Sequence, residues 1–319
     1  MNNQPIHICY TIDTKYVKLC CMSIHDVCLH KADTTSVVFH ILLDRVDDYQ
    51  LFFAFNNIAG VDVRVYPMDA TKLVGDISID SPVKSHAIAL RLFIPFIQNF
   101  DGISRLLYLD SDVMARRDLT NLYNFDLYGY PIGWVKDQIG IEVDLPTSRP
   151  IKQYTHKDFF ANAGIILMDL DKLRASPVPN NWINMYKQVC SNDQIVLNHF
   201  HHDNSWYLPP TCNLFYQHFL MRIKNINDLT RWNKYHNTGY ESIEEIINQS
   251  YLWHFADEKP WILRNPTVGS LFARWEERCD DFFRTGNLTP WTNQDKQTFL
   301  INNVNNWYTQ GEINEHVFE

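Results

Sequence analysis

Arg105-Leu-Leu-Tyr-Leu-Asp110-Ser-Asp112-Val-Met-Ala115 is the stretch on which the reading of this chain turns. Residues 106–109 are a short run of apolar and aromatic side chains before a polar break, the pattern of a buried strand. Asp110 and Asp112 stand one residue apart where that strand leaves the core. Two carboxylates so placed repel each other, and each loses solvation beside a core. A divalent cation relieves both penalties, because hard oxygen ligands suit Mg²⁺ or Mn²⁺. Open α/β sheets also place ligands just beyond the carboxyl ends of their strands. A solvated strand-to-turn exit accounts for Asp-Ser-Asp without any metal, and the three residues alone leave both readings standing.

Upstream of this strand the periodicities alternate. Residues 7–12 read as a first strand closed by Asp13, and Val17, Cys20, Cys21, Ile24, Val27 and Cys28 then recur at helical spacing. Residues 36–43 read as a second strand, closed by Asp44; Asp47 and Asp48 open a helix that runs through Phe55 to the turn at Gly60. Val61, Val63 and Val65 alternate with polar residues as a third strand, and Ser85 caps a helix that carries Arg91 and is bent or ended by Pro95. The alternation predicts an α/β fold with a mostly parallel central sheet and helices on both faces.

Downstream the pattern loosens. A short helix is predicted at 118–123, strands at 131–135, 162–169 and 251–255, and helices at 181–190, 193–200, 268–283 and 294–307. Residues 140–157 lack periodicity, contain two prolines and read as a surface excursion near the site. With no repeat or linker, the organisation expected is one main domain, 1–265, followed by a C-terminal helical appendix, 266–319.

Bulk properties narrow the function. A chain of 319 residues with 45% apolar content can bury a large core, and a formal charge of −9 argues against binding nucleic acid or acidic lipid. No apolar stretch reaches the length of a transmembrane segment, and acidic Glu312, Glu315 and Glu319 work against peripheral docking on an anionic membrane. Met1-Asn-Asn-Gln-Pro runs straight into the first strand without a basic-then-apolar leader, and the seven cysteines contain no Cys-x-x-Cys pair. Reduced core thiols and a cytoplasmic location are expected.

Several side chains carry paired readings. His254 ends a strand and is a candidate third metal ligand or a structural hydrogen-bonding histidine. Lys259 is a point charge for a phosphate or an ordinary surface lysine. Arg91 forks onto a phosphate or a site carboxylate, or lies on a solvated helix face. Asn162-Ala163-Gly164 lets a ligand approach the backbone or is a plain tight turn. Asp193 and Gln194 start a helix, where Asp193 caps it or both bind sugar hydroxyls. Asp137 faces an acceptor hydroxyl or is a solvated loop residue. The crowded His199, His201 and His202 lack partners at a zinc spacing.

Taken in order, Thr11-Ile-Asp13, Arg91-Leu, Tyr-Leu-Asp110-Ser-Asp112, Asn162-Ala-Gly, Asn-Asp193-Gln194 and His254 with Lys259-Pro-Trp resemble the retaining glycosyltransferases of family 8. That family includes bacterial lipopolysaccharide galactosyl- and glucosyltransferases. The resemblance implies a nucleotide-diphospho-sugar transferase fold of GT-A type and a donor, UDP-glucose or UDP-galactose. It further implies Mn²⁺ or Mg²⁺ and a saccharide acceptor on a glycolipid or glycan, such as a lipopolysaccharide core. It places Asp110, Asp112 and His254 on the metal, Thr11 and Asp13 at the uridine, and Lys259 at the diphosphate. Arg91, Asp112, Asn162, Ala163, Asp193 and Gln194 surround the donor hexose, with Gln194 on the face opposite the leaving group. The chain departs from the family's His-Phe/Tyr-x-Gly-x-x-Lys-Pro-Trp: His254 to Lys259 is one residue shorter, and Asp257 stands where a glycine is usual. Two other functions fit parts of the pattern. One is a haloacid-dehalogenase-like phosphatase with Asp110 as nucleophile; the other is a non-catalytic UDP-sugar or glycan-binding protein.

Overall fold

The computed structural model describes residues 4–47, 49–75, 86–137, 160–176, 179–188, 192–216, 219, 223, 225–256 and 266–291. Its strands are β1 (Ile6–Asp13), β2 (Val37–Asp44), β3 (Val61–Met68), β4 (Arg105–Leu109), β5 (Val113–Ala115) and β6 (Ile132–Lys136). They continue with β7 (Ala161–Asp169), β8 (Trp206–Tyr207), β9 (Leu214–Phe215) and β10 (Leu252–His254). Among the described residues the main sheet has seven strands in the order β3-β2-β1-β4-β7-β6-β8. The β3-β2-β1-β4 half and the β6-β8 pair are parallel, while β7 runs antiparallel to both of its neighbours.

Side-chain alternation divides each strand between two cores. Ile8 and Tyr10 of β1, Phe39 and Ile41 of β2, and Leu107 and Leu109 of β4 pack on one face with Cys20 and Ile24 of the helix Val17–His30. Cys9, Leu42, Leu106 and Tyr108 face the other core, with Leu90, Trp182 and Val196. Every residue of β2 is buried, as expected for a strand covered on both faces.

Residues 86–96 form a 3₁₀ rather than an α-helix, His86–Phe96, with Pro95 inside it. Of a second, three-stranded sheet, β5-β10-β9, only β10 was legible, as the strand at 251–255; β5 and β9, of three and two residues, carry no usable period. The helices Ile226–His236 and Ile243–Gln249 also went unread, although Asn225 and Ser242 cap them. Ser242-x-x-Glu245 is a helix-start signature, and Ser242 Oγ accepts from Glu245 N at 3.0 Å.

Leu271, Trp275, Cys279 and Phe282 carry the helix Pro266–Thr285 into the first core. Trp275 Nε1 donates to Met22 O at 3.2 Å, and Lys18 sits 2.7 Å from Glu276 and 3.1 Å from Asp280. The start of the predicted appendix therefore shares its core with the strands. Six described cysteines are free and buried, and no helix among the described residues is long and apolar enough to cross a membrane. Asp48, Ser85, the excursion at 140–157, Cys190, Asp257, Lys259 and the helix predicted at 294–307 lie outside the described residues.

Candidate functional site

Asp110 and Asp112 emerge at the carboxyl end of β4, and the small sheet brings His254 to them. β10 pairs with β5 so that His254 stands opposite Val113, and Phe255 N donates to Asp112 O at 3.0 Å. One ligand atom from each of Asp110, Asp112 and His254 lies within 4.8 Å of the others, the one such group among the described residues. His254 Nε2 is 3.4 Å from Asp112 Oδ1 and 3.8 Å from Asp110 Oδ2. Its Nδ1 is 3.0 Å from Asn213 Oδ1, an acceptor that suits an Nδ1–H donor, and its Nε2 points to the carboxylates. Two hard oxygens and one imidazole lone pair converging on a point fit Mn²⁺ or Mg²⁺.

A bulge in β7 makes room for this cluster. The β6–β7 register steps from Trp134↔Ile166 to Val135↔Asn162, so Ala163, Gly164 and Ile165 are displaced from the ladder. Gly164 O accepts Asp110 N at 2.7 Å, and a Cβ built on Gly164 would collide with His254 Cε1. The space beside Gly164 is thus filled by the His254 ring. Asn162-Ala163-Gly164 is part of a strand rather than the tight turn read from its small residues.

Arg91 is buried, which rules out the solvated helix face. Its Nη2 donates to Asp110 Oδ1 at 2.8 Å, its Nη1 to Ala163 O at 2.5 Å, and its Nε lies 2.8 Å from Asp193 Oδ2. The guanidinium stacks 4.5 Å over the Tyr108 ring. Burial by itself lowers the Arg91 pKa, but Asp110, Asp193, Tyr108 and Asp112 outweigh it and hold the charge firmly. Burial pushes the Tyr108 phenol well above its ordinary range, so it stays a donor, 2.8 Å from Asp110 Oδ1 and 3.0 Å from Thr11 Oγ1. Thr11 thereby reaches the site through Tyr108. Asp13 instead caps the next turn, accepting from Lys15 N at 2.9 Å.

Asn192, not Asp193, is the side-chain cap of the helix Asp193–His201, accepting from Ile195 N at 3.1 Å. Asp193 is released for its ion pair with Arg91. Gln194 Oε1 accepts from Asn162 Nδ2 at 3.1 Å and from Ala163 N at 3.0 Å, and Gln194 Nε2 donates to Asp137 Oδ2 at 3.0 Å. Asp137 is 5% exposed, so it is neither a solvated loop residue nor open on the Gln194 side. His201 is buried against Trp182, outside any metal cluster among the described residues. Sequence reasoning missed the roles of Asn213 and Tyr108, and it did not foresee that Gly164 makes room for His254. The one available signal for Asn213 was an amide amid the apolar run Cys212, Leu214 and Phe215, since a buried polar group needs a partner.

The sequence profile described as Glycosyl transferase family 8 matches residues 7–263. Glycosyltransferase GlyB of Streptococcus pneumoniae is 27% identical over 180 residues, covering 56% of this chain and 38% of that protein. Probable galacturonosyltransferase-like 2 of Arabidopsis thaliana is 23% identical over 215 residues, covering 59% of this chain and 60% of that protein. The chain thus spans less than two thirds of either relative. Among solved structures, the galactosyltransferase LgtC with donor and acceptor sugar analogs superposes with a TM-score of 0.67 at 21% identity, over 92% of this chain and all of that one. GlyE of Streptococcus pneumoniae gives 0.54 at 18% identity, over 89% of this chain and 64% of that one.

Proposed function

The chain belongs to glycosyl transferase family 8 and has the GT-A type α/β fold, and from that premise we propose that it is a metal-dependent, retaining hexosyltransferase. Its donor is UDP-glucose or UDP-galactose, and its acceptor is a saccharide of a lipopolysaccharide core or another surface glycan. Residues 1–265 form the catalytic unit and 266–319 the helical appendix. The observation that carries the reading is the convergence of Asp110, Asp112 and the Nε2 of His254 beside a buried, doubly paired Arg91.

In this reading Asp110, Asp112 and His254 hold Mn²⁺ or Mg²⁺. When bound, the cation supplies the positive charge that a departing diphosphate needs. Arg91 fixes the orientation of Asp110 and Asp193 so that neither moves as the donor enters. Its charge is already met by those two carboxylates, so Arg91 offers no counter-charge to a uronic acid, which favours a neutral hexose. Thr11 and Asp13 lie at the carboxyl end of β1 and line the uridine side, while Lys259 steadies the diphosphate. Asn162, Ala163, Asp193 and Gln194 line the hexose.

Retention follows from what those residues are. Gln194 is an amide and a poor base, and Asp193 is 2.8 Å from a buried guanidinium, which weakens it as a nucleophile. Front-face attack, with the acceptor hydroxyl entering on the side that UDP leaves, needs neither group as base or nucleophile. The phosphatase alternative loses its support: Asp280 is committed to Lys18, and Asp281 to Arg284 and Thr289, on the C-terminal helix. The deciding experiment is a screen of UDP-sugars for slow hydrolysis with Mn²⁺, with and without chelator. Turnover of UDP-glucose or UDP-galactose that chelator abolishes is expected. Donor binding with no turnover, even with glycan acceptors supplied, would leave a binding protein instead.

Reduced, buried thiols at Cys9, Cys20, Cys21, Cys28, Cys212 and Cys279 support work in a reducing compartment such as the cytoplasm.

A further inference from the structure

A single file of amides joins the metal end of the site to the sugar end. His254 Nδ1 meets Asn213 Oδ1 at 3.0 Å, Asn213 Nδ2 donates to Asn162 Oδ1 at 2.9 Å, and Asn162 Nδ2 donates to Gln194 Oε1 at 3.1 Å. Gln194 Nε2 then donates to Asp137 Oδ2 at 3.0 Å. Asn213 is fully buried, and Asn162, His254 and Asp137 nearly so.

The direction of this file can be followed from its far end. Asp137 Oδ2 accepts from Gln194 Nε2, so Gln194 turns its amide nitrogen outward and its oxygen back. That oxygen then requires a donor from Asn162, whose own oxygen requires one from Asn213. Asn213 is left with only its oxygen for His254. Two backbone groups enforce the same sense: Ala163 N donates to Gln194 Oε1 at 3.0 Å, and Gly164 N to Asn162 Oδ1 at 2.9 Å. Reversing any one amide would set N–H against N–H in a buried place, which costs about 1–3 kcal/mol per unmet group.

We propose that Asn213 is the positioning residue that holds His254 in the Nδ1–H tautomer with Nε2 aimed at the cation. On the same chain of bonds, the backbone N–H groups of Gly164 and Ala163 set the polarity, and Asp137 receives the last donor. The proposal rests on the metal reading given above and extends it. Nothing in the sequence spacing links Gly164 to His254 through Asn213, yet the Gly164 N–H, by fixing the Asn162 amide, leaves Asn213 only its oxygen to offer the imidazole.

Asn213→Leu removes the acceptor for His254 at similar volume, whereas Asn213→Asp keeps that acceptor and removes the donor to Asn162. Mn²⁺ binding to the full chain, followed by the loss of free-ion EPR signal, is expected to weaken about 10- to 100-fold in Asn213→Leu and to stay near wild type in Asn213→Asp. Asn213→Asp is expected instead to slow UDP-hexose hydrolysis through the freed Gln194 end. A purely structural role predicts that both variants lose Mn²⁺ affinity together, and that outcome overturns the proposal. Should Asn213→Leu not fold, ¹⁵N-histidine labelling of the wild type reads the tautomer directly, with the signal assigned by His254→Asn. An Nδ1 that carries no proton in the metal-free protein overturns the proposal. Absence of any Mn²⁺ binding by the wild type overturns the metal reading and this proposal with it, while wild-type-like binding by Asn213→Leu overturns this proposal alone.

Discussion

Gly164 and His254 share one space: a Cβ built on Gly164 would collide with the imidazole Cε1 and come within 2.8 Å of Asp110 Oδ2. A side chain there cannot coexist with the histidine in its present place. Gly164→Ala is expected to lower Mn²⁺ affinity and donor turnover by about 10-fold or more, the scale of a displaced ligand support. Binding measured by calorimetry, with a wild-type far-ultraviolet circular dichroism spectrum, checks it; unchanged Mn²⁺ affinity counts against the site.

Asp110→Asn and Asp112→Asn are each expected to cut UDP-hexose turnover by about 10²-fold or more, equal to several kcal/mol of lost charge stabilisation. The two should differ in stability. Asp110 also holds Arg91 Nη2 and Tyr108 Oη, so Asp110→Asn leaves a buried cation with less compensation and should show the larger fall in Tm. Equal Tm values for the two variants would contradict this division.

Arg91→Met is expected to destabilise the protein by about 3–5 kcal/mol, since it strands Asp193 and Asp110 beside a core. Arg91→Lys should recover little of that loss. A single ammonium cannot meet Asp110, Asp193 and the Ala163 carbonyl in the planar fork that Arg91 uses. Urea melts of both variants give the comparison, and full recovery by lysine would refute the fork.

Acid should unfold the chain through its buried histidines. Burial lowers His40 and His236 to about 3 and His201 to about 4, from an ordinary value of 6.5. In each case the folded state favours the neutral ring, so below the unfolded value the unfolded chain binds more protons. The stabilisation is complete above about pH 6.5 and is lost as the pH falls toward 4 and 3, at up to about 1.4 kcal/mol per unit for each ring. Tm measured from pH 7 to 4 should therefore fall, and His236→Gln should flatten that fall. A Tm independent of pH over this range would exclude the mechanism.

The product is expected to keep the donor's α configuration. Gln194→Ala should slow transfer by roughly 10- to 100-fold without abolishing it, the scale of a lost polar contact. Both lone pairs of Gln194 Oε1 are engaged, by Asn162 and Ala163, so its effect runs partly through their placement. Proton NMR of the first-formed linkage decides the stereochemistry: a β coupling from an α-configured UDP-hexose would overturn the retaining assignment.

Much of this was open to reading from residue order. Apolar runs and helical spacings determined the first three strands, the helix behind them and β4, because burial on a sheet or helix face imposes its period on local sequence. Asp110, Asp112 and His254 were identifiable because they follow such runs, where ligands gather at strand ends. What only the tertiary structure decided is what those side chains meet. The burial of Arg91 between Asp110 and Asp193, the β7 bulge that leaves His254 the space beside Gly164, and the amide file from Asn213 to Asp137 join residues far apart in the chain. Periodicity reports which face of an element is dry. It carries no record of which polar atom on another element completes the hydrogen bonds of a buried one, because that choice is made by strand pairing and packing over long separations.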